Sequence, residues 1–420
     1  MNKSMYKRLS FLLKVAVLGL CIAAGTKQTK AQDVYVGGWS NNRAVVWKNG
    51  TPNHLTLGNG FVSSVFVVGE DVYTAGYESG TGENVAKVWK NGVVLYSLTD
   101  GTYRANANAV AVSGSDVYVA GNENSSGSIG KLWKNGVAEA GYSDAWLLYS
   151  ISIEGSDVYV AGISLTFKAA VWKNGTLLYT LTPGAGNHAA YSTVVVDGDV
   201  YTVGHEQTGE WGENCVQKVW KNNTALYTLG TFTNFKYPSI MGICISDGVI
   251  YVVGDGINGA GIRVAKLWTN GAGTDLSDGT IDAFAYSVFA SGKDIYVAGT
   301  ENYGKALLWK NGTSTTLSSG SSEGAYSVFV VNKGVGVAET QCIASLRVYP
   351  NPTNNQLIIE NGELTIENYS IYSVVGQVVM QGNTSPNPSK RGEFSIDVSS
   401  LVAGMYFLKI NGKMVRFVKE

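Results

Sequence analysis

The chain has 420 residues, room for one large domain and a small one, with a formal net charge of −1 and only 15% charged residues. That balance excludes the basic footprint of a nucleic-acid or anionic-membrane binder. No apolar run reaches the roughly 18 residues of a transmembrane helix. Gly 52 and Tyr 24 against Pro 7 point instead to many strands joined by tight turns.

Lys3, Lys7 and Arg8 make a basic start, and residues 15–24 form an apolar run too short to span a bilayer. Residues 1–31 therefore read as a signal peptide, cleaved after Ala31 or nearer Gly25. Leu20 is too large for the small residue that precedes a lipid-attachment cysteine, so Cys21 is not expected to carry lipid. Cys215, Cys244 and Cys342 are odd in number and widely spaced, which argues against a disulfide framework. They read as two small buried hydrophobes and a linker cysteine.

From residue 32 a unit recurs whose landmark is Val46-Trp47-Lys48-Asn49-Gly50. Versions of it hold Trp89, Trp133, Trp172, Trp220, Trp268 and Trp309, at spacings of 42, 44, 39, 48, 48 and 41 residues. Upstream of each stands a strand-like run such as Asp33-Val34-Tyr35-Val36 or Asp116-Val117-Tyr118-Val119, preceded by another apolar stretch. A fourth run follows the Asn-Gly, which is the dipeptide of a type I′ hairpin. Four short antiparallel strands per unit and seven units predict an all-β chain whose residues 32–331 form a seven-bladed β-propeller.

Adjacent apolar residues such as Leu132 and Trp133 make both faces of the third strand apolar, as a sheet between two neighbouring sheets requires. The repeat tryptophans are thus expected to pack, with Ala86, Ala265 and Ala306 giving room for close contact. The first unit lacks its leading strand, and a spare one at residues 326–331 follows the seventh. Pairing the two closes the ring from both termini and leaves no open edge.

The tight turns fall on one face of such a ring and the long, irregular connections on the other, where recognition is expected. Just before the innermost strands stand Tyr149, Tyr191, Tyr237, Tyr286 and Tyr326, with Ser63 and Asn108 in the remaining units. These tyrosines, with Trp211 from a long connection, are the candidate ligand-binding residues, able either to stack on a sugar or grip a peptide or to wedge between blades. Signals for catalysis are thin. His188, His205, Glu206 and Glu210 cluster in the fifth unit without metal-ligand spacing, and the histidines read as exposed loop residues. His54 falls in an outer strand, and no nucleophile elbow, phosphate loop or calcium loop occurs. No cofactor or metal is expected.

From about residue 332 the period stops, and a linker at 332–345 leads to a new pattern. Short strand-like runs at 356–359, 364–373, 374–380, 393–398, 405–410 and 415–419 predict a small Ig-like β-sandwich over 346–420. This segment resembles the C-terminal sorting domain of proteins exported by the bacterial type IX secretion system. The resemblance rests on Tyr349-Pro350-Asn351-Pro352, Gly376-Gln377-Val378-Val379, Ile396-Asp397-Val398, Gly404-Met405-Tyr406 and the terminal Val418-Lys419. It implies a Gram-negative source and passage through the periplasm. It also implies partners in the secretion machinery and in a sortase-like peptidase that cuts in the linker, the passenger ending on the cell surface or in the medium. The resemblance is silent about residues 33–331. There we expect a recognition module for glycan, peptide or host protein, with a polysaccharide hydrolase using carboxylates such as Glu206, Glu210 or Asp282 as the alternative. A structural surface protein is the third reading.

Overall fold

The structure is a computed structural model that describes residues 31–333, apart from 81, 126, 185, 209–212, 234–238, 319 and 321. In the C-terminal segment it describes 347–349, 352–360, 368–373, 377–383, 393–410 and 413–420. The signal-peptide reading, Cys342, the interior of the linker, Pro350, Asn351 and Gly376 lie outside the described residues.

Residues 31–333 form seven four-stranded antiparallel sheets. The second holds Gly60–Val68, Asp71–Ser79, Asn84–Lys90 and Val93–Ser97 in that order, and the five that follow repeat the plan. The first sheet is made from both ends of the repeat region. Glu323–Lys333 pairs with Ala31–Ser40, which leads to Arg43–Lys48 and Thr51–His54. The leading strands of successive sheets pack on one another, and Glu323–Lys333 packs on those of both the seventh and the second sheet. The ring is therefore closed. It is a β-propeller, and the spare strand does what its position in the sequence predicts, running three residues longer at its start and two at its end.

The repeat motif explains itself residue by residue. Asn49 and Gly50 take φ of 51° and 81°, the paired positive values of a type I′ turn. The Asn49 side chain then reaches back: its Oδ1 accepts from the Val34 backbone N–H at 2.8 Å, and its Nδ2 donates to Asp33 Oδ1 at 2.8 Å. Lys48 pairs with Asp33 at 3.1 Å and lies 5.1 Å from the centre of the Tyr35 ring. The same four-residue clasp recurs around Asn91, Asn135, Asn174, Asn222 and Asn311. In the sixth sheet Val249 and Thr269 replace the acid and the lysine, and only the bond from Ile250 N–H to Asn270 Oδ1 remains.

The seven repeat tryptophans are 0–4% exposed and pack between sheets. The residue three before each is small, and a Cβ on Gly130 would meet that of Ala145 at 2.8 Å. Gln217 breaks this rule in the fifth sheet. It is fully buried, and its amide donates to the carbonyls of Ser239 and Asp255 at 3.0 Å each. Cys215 and Cys244 are buried, and burial pushes the Cys215 thiol up to about 12.

The C-terminal segment forms a three-stranded and a four-stranded sheet around Leu357, Ile359, Ile371, Ile396, Leu408 and Phe417. Its two ends meet. Thr353 donates its N–H to Val418 O at 2.8 Å and accepts from Glu420 N–H at 2.9 Å, so the segment after Pro352 clasps the last strand, Lys413–Lys419.

Candidate functional site: the aromatic mouth of the channel

Innermost strands of a ring carry one edge with no sheet partner, and here that edge is bonded sheet to sheet. Ser64 Oγ accepts from Val110 N–H, Ser150 and Ser152 from Thr193 and Val195, Ser287 from Val328 and Ser327 from Val65, at 3.0–3.2 Å. These five channel serines are thereby accounted for as structure.

Just before these serines each innermost strand holds one residue too many for its partner. Between innermost and second strands the register skips Ser63, Asn108, Tyr149, Tyr191, Met241 and Tyr286, a β-bulge at the same position in six sheets, and the fourth sheet skips Trp146 as well. Opposite each bulge the second strand supplies a glycine whose Cβ would lie 1.8–2.2 Å from a carbonyl oxygen two residues before the bulged residue. These are Gly76, Gly121, Gly162, Gly204, Gly254 and Gly299, and Gly38 stands in the same relation to Gly324, which makes Tyr326 the seventh member. Their φ values are ordinary, so the requirement is for space.

All seven bulge residues line the central channel, which encloses about 220 Å³. Tyr149, Tyr191, Tyr286 and Tyr326 are brought together as expected. In the sixth sheet the bulge position is held by Met241, the pairing beginning at Ile240, while Tyr237 lies outside the described residues, as does Trp211. The rings are half-buried and lean on each other in two arcs. Phe61, Tyr326 and Tyr286 form one, with centroids 4.7 and 4.4 Å apart; Tyr149, Tyr191 and His205 form the other, at 5.1 and 5.5 Å. Burial pushes the Tyr149 hydroxyl up to about 12 and raises Tyr191 and Tyr286 further, so all three are protonated donors.

The second arc opens onto a pocket of about 400 Å³ between the fourth and fifth sheets, which no motif in the sequence announced. Trp146, Phe167, Tyr191 and His205 wall it, with His188 and Gln207 supplying polar groups. Here the expectation of exposed loop histidines fails: His188 is 1% exposed, and burial, helped by the charge of Lys168, pushes it down to about 4. Its Nδ1 accepts from Gln207 backbone N–H at 3.1 Å, so Nε2 carries the proton. His205 is partly buried, and its Nε2 donates to Asn187 O at 3.0 Å.

The carboxylates lie elsewhere. Glu206 pairs with Lys218, Asp282 accepts from Arg263 N–H at 2.8 Å, and neither lines the channel, while Glu210 lies outside the described residues. Buried Asp255, paired with Arg263, is pushed up to about 6 by burial. Among the described residues no group of three or more His, Cys, Asp or Glu is placed to hold a metal ion, and no helix is long and apolar enough to cross a membrane.

Fold and tail define a β-propeller joined to a C-terminal β-sandwich. Residues 347–420 match the family described as secretion system C-terminal sorting domain. The chain thus carries the sorting domain of the type IX secretion system and is exported through the periplasm to the cell surface or the medium. No curated protein matches the chain. Among solved structures it is similar to the computationally designed Ika8 protein (14% identity, 85% of this chain, 96% of that one, TM-score 0.37). A puromycin-hydrolyzing peptidase of Mycobacterium tuberculosis gives 11% identity over 78% of this chain and 58% of that one, TM-score 0.42. A triple arginine-to-alanine mutant of AofleA from Arthrobotrys oligospora gives 13%, 74%, 94% and 0.36. With TM-scores under 0.5, the propeller assignment rests on the strand pairing itself.

Proposed function

We propose that the propeller is a recognition module, carried out of the cell by its sorting domain and holding glycan, peptide or host protein on the face with the long connections. One observation carries the reading: tyrosines from four sheets converge on a single bulge position at one mouth of the channel. Each offers an apolar face and a hydroxyl donor, a pairing suited to polar ligands with ring or backbone faces. Residues 1–31 serve as the signal peptide, and a sortase-like peptidase cuts between the two domains.

The test is a glycan and extracellular-protein array probed with the full-length protein, then with Tyr149→Ala/Tyr191→Ala and Tyr286→Ala/Tyr326→Ala. A ligand lost in at least one folded double variant supports the reading. An array with no ligand, or one whose ligand both variants keep at full affinity, sinks it.

A further inference from the structure

Three facts meet at the pocket between the fourth and fifth sheets. The first is a buried donor without an acceptor: His188 Nε2 is among the buried polar atoms that find no hydrogen-bond partner, in a ring 1% exposed. Such a group loses its hydration and gains nothing unless an acceptor arrives from outside the protein. The tautomer is fixed by the bond from Gln207 N–H to Nδ1, so the donor is permanent above the acid range.

The second fact is the walls. Trp146 and Phe167 stand 5.4 Å apart at 59°, and Tyr191 and His205 stand 5.5 Å apart at 32°, giving an aromatic cleft of about 400 Å³. That volume lies in the range of small-molecule sites, roughly 300–1,000 Å³. Among the described residues no Asp, Glu, Lys or Arg lines it.

The third fact is a strained residue. Phe167 has φ of 58°, a conformation open to glycine or asparagine and costly to a bulky side chain. Two backbone bonds hold it there, Phe167 N–H to Ser164 O at 2.9 Å and His188 N–H to Phe167 O at 3.1 Å. The second ties the strained turn of one sheet to the histidine of the next, so ring and imidazole are positioned together.

Aromatic walls, a buried neutral donor, amide groups at the rim and no charged side chain among the described lining residues select a ligand that is uncharged, has an apolar face and carries oxygen acceptors. We infer that this pocket binds one neutral pyranose unit, an aromatic ring taking the C–H face of the sugar and His188 Nε2–H donating to a ring or hydroxyl oxygen. A purely aromatic ligand would leave the histidine unpaired. The inference rests on reading the long-connection face as the recognition face, and it names the ligand class and the place.

The experiment is titration of the full-length protein with methyl glycosides of glucose, galactose, mannose and N-acetylglucosamine, followed by saturation-transfer NMR and tryptophan fluorescence. At least one should bind, and Trp146→Ala and Phe167→Ala should each weaken it tenfold or more, while Tyr286→Ala changes it less than twofold. Phe167 is 43% exposed, so its variant keeps the fold and stays informative where Trp146→Ala does not. No binding by any glycoside, binding of indole alone, or equal affinity in Phe167→Ala overturns the inference. A ligand from the array that depends on Tyr286 and Tyr326 but ignores both pocket variants would leave the recognition reading standing and remove this one.

Discussion

Gly38 lies so close to Gly324 that a Cβ on it would sit 1.8 Å from the Gly324 carbonyl oxygen. The two residues come from opposite ends of the repeat region, and their contact belongs to the sheet that closes the ring. Gly38→Ala should therefore destabilise by at least about 3 kcal/mol, since backbone on both sides must shift. Gly50→Ala meets nothing within 4 Å but takes φ of +81°, and should cost only about 1 kcal/mol. Urea unfolding of the two variants checks the order; equal costs would contradict the steric account.

The clasp around Asn91 makes a graded prediction. Asn91→Ala leaves Val72 N–H without its acceptor and Asp71 with Lys90 alone, and should cost about 1–2 kcal/mol. Lys90→Ala removes an exposed, solvent-screened ion pair and should cost less. Asn270→Ala, in the sheet without the acid, should fall between them. A thermal-shift series that ranked Lys90→Ala highest would show the ion pair to be the stronger element.

The same clasps set a pH response. Lys90 and Asn91 hold Asp71 below the usual carboxylate range, and their counterparts do the same for Asp116, Asp199 and Asp294. A folded value below the unfolded one gives stability that is complete above the ordinary aspartate range and lost as pH falls through the depressed value. The propeller should therefore lose stability steadily below about pH 4. Asp71→Asn should flatten that slope, and an unchanged acid limb would refute it.

His188 adds a separate acid limb at higher pH. Its folded value, about 4, lies below the ordinary histidine range, so its contribution is present above about pH 6.5 and lost as pH falls towards 4. Protonation at Nδ1 would also break the bond from Gln207. Midpoints in urea at pH 7, 5.5 and 4.5 should fall faster for the native protein than for His188→Gln. Parallel curves would mean that the histidine titrates in the fold as it does in the unfolded chain.

The ring was legible in the sequence because its causes are local. Trp, Asn-Gly and Asp-x-Tyr each act within one sheet, and their return every 39 to 48 residues exposes the plan. Four channel tyrosines were legible too, being the residues just before an apolar run. Met241 was not, because a bulge is a matter of register between two strands. A signal for it did exist: Tyr35 and Gly38, Tyr73 and Gly76, and Tyr251 and Gly254 keep one spacing in every unit, and each glycine marks its bulge. The pocket had no such signal. Trp146, Phe167 and His188 belong to two successive units, and only the packing of one sheet on the next brings them together.

The last prediction concerns the tail. Val418 and Lys419 belong to the resemblance that marks the sorting domain, and the structure gives them a partner at the other end of that domain, where Thr353 bonds to the residues before and after Lys419 along one edge of the final strand. Thr353 is 1% exposed, and its hydroxyl also donates to Gln356 O at 2.6 Å. Removing 347–420 should leave a folded propeller in the periplasm, because the export machinery then has nothing to recognise. Removing only 418–420 should do the same by opening the clasp, with the rest of the sandwich still present. Thr353→Val, which keeps the backbone bonds, should export normally. Cell fractionation with detection of the propeller decides it: propeller reaching the surface or medium without 347–420 would refute the role of the tail, and normal export without 418–420 would refute the role of the clasp.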